Sequence, residues 1–197
     1  MFPEGVTGAF MLQPTKRKSA MFAKTLLAAA AVSMTLIGTS ARAESPADLN
    51  DLEIAHVAYT ADSIDIRYAH LALAISNNPA IHKFADTMIR DHSAVNKQAL
   101  ALLKTLGVSA KDNFLSQQLN GGAEDLITEM SQLRGAAFDS RYAQNELGYH
   151  QAVNGLVEGT FIPNIENPDV KEMFEEALLI FKAHEHHAEM MVKGLAN

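Results

Sequence analysis

The chain has no cysteine and no tryptophan in its 197 residues. Without cysteine it has no disulfide framework, no thiolate metal ligands and no cysteine nucleophile. It also lacks G-x-S-x-G and a Gly-rich phosphate loop, since Gly121-Gly122 is too short to act as a nucleotide motif. The apolar run Leu26–Ile37 falls short of the roughly 20 residues that span a bilayer. A basic cluster (Lys16, Arg17, Lys18, Lys24) precedes that run and Ala41-Arg42-Ala43 follows it. The order of basic, apolar and small residues reads as an export signal over residues 1–43, cleaved after Ala43, and implies a periplasmic or cell-envelope location. Met1, Met11 and Met21 are all open as the true start. A single N-terminal anchor helix is the alternative reading, while a lipid anchor of the bacterial lipoprotein kind is excluded for want of a cysteine at the cleavage point.

Basic residues are also scarce. Of 16 Lys/Arg and 23 Asp/Glu, residues 1–43 hold five and one, leaving 11 and 22 and a net charge of −11 with histidines neutral. Clustered cations for phosphate are missing from residues 44–197, which argues against nucleic acid as partner. All eight histidines lie in that part, and an acidic chain of this kind attracts cations. About 150 residues suffice for one domain with one core.

No period-2 run suggests a strand, and the remaining pattern is helical. The first predicted helix spans Pro46 to Ser76, with Val57, Ala61, Ile64, Tyr68, Leu71 and Ile75 on one stripe. Asn77-Asn78-Pro79 stops it and starts the second, with Asn78 as cap and Pro79 at the first helical position. That helix carries Ile81, Phe84, Met88, His92, Val95, Ala99, Leu102 and Leu106 and ends at Gly107. Val108–Gly122 reads as irregular, and a short helix follows over Ala123–Leu133. The third long helix starts at Gly135, carries Phe138, Tyr142, Glu146, Tyr149, His150, Val153 and Val157, and closes near Pro163. Asn167-Pro168 opens the last, striped by Val170, Phe174, Ala177, Phe181, His184, Ala188, Met191 and Leu195. Two hairpins joined by one longer connection make an all-α, four-helix bundle with a long crossover and a short extra helix, the arrangement of ferritin-like folds. Residues 44–197 are thus expected to form a single ferritin-like domain. A homodimer through an apolar outer face stays open.

His92, His150 and His184 each fall within the apolar stripe of a different helix, where polar nitrogens must find partners. Asp65 lies 12 residues before Asn77 and His92 lies 13 after Pro79, so both sit about 18–20 Å from the turn. His150 and His184 are offset by three residues about the second junction, or about 5 Å. Glu146 and His150 are four apart and share a helix face. Metal coordination by His92, His150, His184, Glu146 and Asp65 is the sharpest explanation, with iron, zinc or copper as the ion. His187 is close enough along its helix to share a ligand, and Asp91 is either an outer partner of the site or a surface charge. Met88 beside His92 would suit copper, although the methionines read mainly as core filler. Two alternatives need no metal: histidines that tie helices together by hydrogen bonds in a non-enzymatic envelope or stress protein, and a pH sensor. Whether a reaction is catalysed is open.

Phe84-Ala85-Asp86-Thr87-Met88-Ile89-Arg90-Asp91-His92 resembles the signature of the bacterial family called domain of unknown function 4142. Gly135-Ala136-Ala137-Phe138-Asp139-Ser140-Arg141-Tyr142 resembles its G-x-x-F-D-x-x-Y motif, and His150 its next histidine. Leu71-Ala72-Leu73 and His184 with Ala188 are similar to the ends of its first and last helices. The resemblance covers about Leu52 to Leu195 and implies an exported ferritin-like bundle without an established activity. Asp65 stands where the family commonly has glutamate. Leu178-Leu179-Ile180-Phe181 replaces its usual leucine-proline step.

Overall fold

In the computed structural model, residues 44–196 are described; the expected leader over residues 1–43 lies outside them. A 3-10 turn, Pro46–Asp48, precedes α1 (Asp51–Ile75), α2 (Pro79–Thr105), α3 (Phe114–Ser131), α4 (Gly135–Leu156), the one-turn α5 (Ile162–Asn164) and α6 (Pro168–Leu195). There is no strand among the described residues. The four long helices α1, α2, α4 and α6 match the four expected. None of the described helices is long and apolar enough to cross a membrane.

The first helix starts later than expected, because Asn50 and not the Pro46 region caps it. The Asn50 side chain accepts from the Leu52 and Glu53 amides while Glu53 reaches back to the Asn50 amide, a reciprocal capping box. Asn78 caps α2 and Asn167 caps α6, each with proline at the first helical turn, as the sequence suggests. Helix α2 ends as expected at Gly107, which adopts φ +70. The Gly107 amide donates to Lys104 O and the Val108 amide to Leu103 O. This is a Schellman closure, which favours glycine because the left-handed conformation strains any residue with a Cβ.

The largest departure is α3. The irregular stretch expected up to Gly122 is helical from Phe114 onward, and the helix runs through Gly121 and Gly122 without a break. Two glycines inside a helix cost about 2 kcal/mol together relative to alanine. Asn113 offsets part of this by capping the Leu115 and Ser116 amides and donating to Glu53 O on α1. Ala123 and Met130, fully packed against the core, hold the rest of the helix to α1 and α4.

Helix α1 packs along α2 and α4 along α6; α1 also meets α4, and α2 meets α6. The three residues between α1 and α2 force them antiparallel. Two large apolar clusters and a small third one, Val95, Ala177 and Phe181, fill the interior. Of the large pair, one contains Ile64, Tyr68, Phe84, Met88, Phe138 and Ala188; the other contains Ile54, Val57, Phe161, Val170 and Phe174. Along both α1 and α6 the polar residues fall where one cluster gives way to the other.

Between α4 and α5 the chain makes a π turn over Val157–Phe161, with the Ile162 amide donating to Val157 O five residues back. Pro163 supplies the physical reason: it has no amide to continue the α pattern, and the wider turn accommodates it. Despite the expected three-residue offset, the ring centroids of His150 and His184 lie 5.6 Å apart.

Candidate metal centre

Each long helix contributes to one buried polar cluster: Asp62 and Asp65 from α1, His92 from α2, Glu146 and His150 from α4, and His184 from α6. Asp65 and Glu146 are 0% exposed, and His92, His150 and His184 are 4%, 3% and 2% exposed. One nitrogen of each of His92, His150 and His184 lies within 4.8 Å of one from each of the others, and Asp65, Glu146 and His150 form a second such group. His150 belongs to both. All five residues singled out in the sequence therefore meet at one place.

The outward partners fix what each ring turns inward. His150 Nδ1 is 2.9 Å from the carbonyl of Glu146. A carbonyl can only accept, so Nδ1 carries the hydrogen and Nε2 keeps its lone pair. His184 Nε2 donates to Asp91 Oδ2 at 3.0 Å, which leaves Nδ1 with the lone pair. His92 Nδ1 donates to Asp62 Oδ1 at 2.7 Å. Its Nε2 lies 2.6 Å from Asp65 Oδ2, and His150 Nε2 lies 3.5 Å from the same oxygen. The inward atoms Asp65 Oδ1 and Oδ2, Glu146 Oε2, His92 Nε2, His150 Nε2 and His184 Nδ1 are buried without an aligned hydrogen bond. The His92–Asp65 contact is a close, buried ion pair. Leaving a buried polar atom unpaired costs about 1–3 kcal/mol; the ion pair offsets that cost for His92 Nε2 and Asp65 Oδ2, while the inward lone pairs of His150 and His184 bear it.

Burial disfavours the His92 imidazolium, but Asp65 and Asp62 on either side outweigh it and raise the group to about 10. Burial would likewise raise Asp65, yet His92 beside it holds the carboxyl down at about 2. Glu146 goes the other way, well above the usual carboxylate range, through burial and the neighbouring Asp65 charge. Burial lowers His150, and it lowers His184 to about 4. Without an ion, then, His92 is charged, Glu146 holds a proton, and His150 and His184 are neutral.

Aromatic rings wall the cluster. Phe181 stacks on His92 at 4.9 Å and 12°. Tyr149 meets His150 edge-on at 6.4 Å and Tyr68 meets Tyr149 at 5.7 Å. Phe84 touches both His150 and Tyr142.

The geometry decides between the readings left open by the sequence. Asp65, despite its shorter arm, reaches the middle of the cluster because α1 lies close against α2. Glu146 and His150, which share one face of α4, are buried together. His187 is exposed on α6 and is absent from both groups of converging ligands. Met88 packs in the apolar core. Asp91 is an outer partner of His184 and also pairs with Arg90. Asp62 was not singled out in the sequence. Its signal was its position three residues before Asp65, which places both carboxylates on one face of α1.

The family described as Domain of unknown function (DUF4142) matches residues 38–191. No curated protein and no solved structure matches the chain.

Proposed function

Given that the chain belongs to the domain of unknown function 4142 family, whose description states no activity, we propose that it is an exported, ferritin-like four-helix bundle holding a transition ion. The ion is held by His92, His150 and His184, with Asp65 and Glu146 completing the donor set. The observation that carries this reading is the tautomer arrangement. His150 and His184 each spend one ring nitrogen on an outward carbonyl or carboxylate and turn a bare lone pair inward, and Asp62 orients His92 in the same manner. Outward anchoring of this kind is the usual support of imidazole ligands. Imidazole with carboxylate and no thiolate suits iron, zinc or copper. A tetrahedral zinc site with bonds of about 2.0–2.1 Å places its nitrogens about 3.4 Å apart. The present spacing, within 4.8 Å, needs side-chain closure of about 1.4 Å at most. Binding also requires His92 to give up its inward proton, so affinity rises with pH and protons are released. Localisation outside the cytoplasm rests on the leader pattern before Glu44.

Metal analysis of protein isolated from the periplasmic fraction tests the reading. The expected content is about one equivalent. Free ion at a hundred times its dissociation constant stabilises by about 2.7 kcal/mol, which in a domain of this size raises the melting temperature by about 5–11 °C. Less than a tenth of an equivalent, with no rise in melting temperature on adding iron, zinc or copper, defeats the proposal.

One observation favours a second reading. Asp62 and Asp65 already hold His92 at 2.7 and 2.6 Å as a charged bridge between α1 and α2. A protein built on that bridge alone needs no ion, and the cluster then serves the architecture of an envelope protein. In that case His92→Gln lowers stability equally in chelated and metal-supplemented protein. The metal reading expects an additional loss in the supplemented sample.

A further inference from the structure

A second internal feature lies beside the cluster and has no part in holding an ion. A cavity of about 150 Å³ opens between α1, α2, α4 and α6. Its walls include Val57, Val95, Val153, Phe174 and Phe181, and are almost entirely apolar. A cavity of this volume lined by apolar side chains stays dry and takes up benzene or xenon. Along the apolar part of the wall water gains few hydrogen bonds, and dispersion contacts are left unused.

Two polar side chains, Asp62 and Asn96, give the cavity a chemical direction. Asn96 is 8% exposed, its Oδ1 is buried without a hydrogen-bond partner, and its Nδ2 is directed to Ser63 Oγ at 3.4 Å. Asp62 offers a carboxylate, one oxygen of which takes the His92 hydrogen bond. Tyr149, also in the wall, spends its hydroxyl hydrogen on the Ala61 carbonyl at 3.1 Å. With Tyr59 at the exposed edge, the buried polar atoms of the wall are therefore acceptors, Asn96 Oδ1 and the Asp62 carboxylate, and a ligand that reaches them brings the donor. The exposed Tyr59 and Ala152 also line the space, so it has a route to solvent.

We infer that this cavity is a binding site for a small single-ring apolar molecule carrying one hydroxyl or amino donor, with the ring against Phe181 and the donor on the unpartnered Asn96 Oδ1. Its inner wall is shared with the cluster, because the Phe181 ring stacks on His92 and Asp62 anchors His92 Nδ1. Occupancy is therefore sensed at His92 whether or not an ion is present. The inference stands independently of the metal reading.

Methyl and imidazole NMR of the metal-stripped protein, titrated in parallel with benzene and phenol, tests it. The expected result is saturable movement of the Val57, Val95 and Val153 methyls and of the His92 ring with both probes. Phenol should bind about ten-fold tighter for its one buried hydrogen bond. In Asn96→Leu, benzene should still bind and most of the phenol advantage should disappear. Ala99→Phe and Ala58→Leu, which fill the cavity from two sides, should each weaken both probes at least ten-fold without lowering the melting temperature. Absence of saturable shifts, equal affinity for benzene and phenol in the wild type, or unaltered binding in both filled variants overturns the inference. So does a concentration-dependent doubling of mass with no probe binding, which would make the mouth a contact between two copies.

Discussion

Asp65→Asn in metal-free protein probes the centre of the cluster with minimal change of shape. Held at about 10 where an unperturbed histidine sits at 6.5, His92 contributes roughly 4 kcal/mol of native stability at neutral pH. Asp65 and Asp62 share that contribution, with the Asp65 charge the largest favourable influence. Loss of the Asp65 charge should therefore cost about 2–3 kcal/mol, near the range for breaking one side of a buried ion pair. The direction with pH follows from the two groups. His92 is raised, so its contribution is complete below pH 6.5 and is lost as pH climbs through about 10. Asp65 is depressed, so its contribution is present above pH 3.8 and is lost as pH falls through about 2. The gap between wild type and variant should be widest between about pH 4 and 6.5 and should shrink toward pH 10. Urea unfolding of chelated protein at pH 5, 7 and 9.5, with an NMR titration of His92, measures both quantities. A cost below about 0.5 kcal/mol, or a gap that widens with pH, refutes the charged bridge.

Other expectations follow from neighbouring features. His184 is depressed to about 4 by burial, so the unfolded chain takes up its proton first as pH falls below 6.5. Metal-free protein should lose about 3 kcal/mol between pH 6.5 and 4 on this account, and His184→Gln should flatten that part of the urea-unfolding profile. Asp91→Asn removes the anchor on His184 Nε2 and, on the metal reading, should weaken ion binding about 10–100-fold, as read by competition with a chromogenic chelator. Gly122→Ala meets no atom within 4 Å and lies inside α3; it should stabilise by about 0.5–1 kcal/mol in thermal or urea unfolding.

The long helices were legible because their apolar residues recur at the helical period and two Asn-Pro pairs mark their starts. Val170, Phe174, Ala177, Phe181, His184, Ala188 and Met191 are all buried on α6 in the order that spacing requires. The same pattern exposed His92, Glu146, His150 and His184, since a histidine or carboxylate in an apolar stripe has nowhere else to point, and Asp65 emerged from its depth below the first turn, level with His92. Helix α3 was hidden because two adjacent glycines outweigh local propensity on paper, whereas Asn113 and packing against α1 decide the matter in the fold. Asp62 was hidden for a different reason: an acidic residue beside a stripe resembles a solvated charge until the facing helix supplies His92. His187 misled through the same ambiguity, because three residues along a helix bring it near His184 yet leave it facing water.

The tyrosines around the cluster give this protein a built-in optical probe. With no indole to dominate emission, its ultraviolet fluorescence comes from four phenols, and Tyr68, Tyr142 and Tyr149 border the cluster directly or through one ring. An open-shell ion such as ferric iron or cupric copper held among the histidines would quench those phenols, while closed-shell zinc would leave them bright. Spectroscopy on the unlabelled chain can therefore sort the candidate ions by electronic structure, with no dye and no engineered residue.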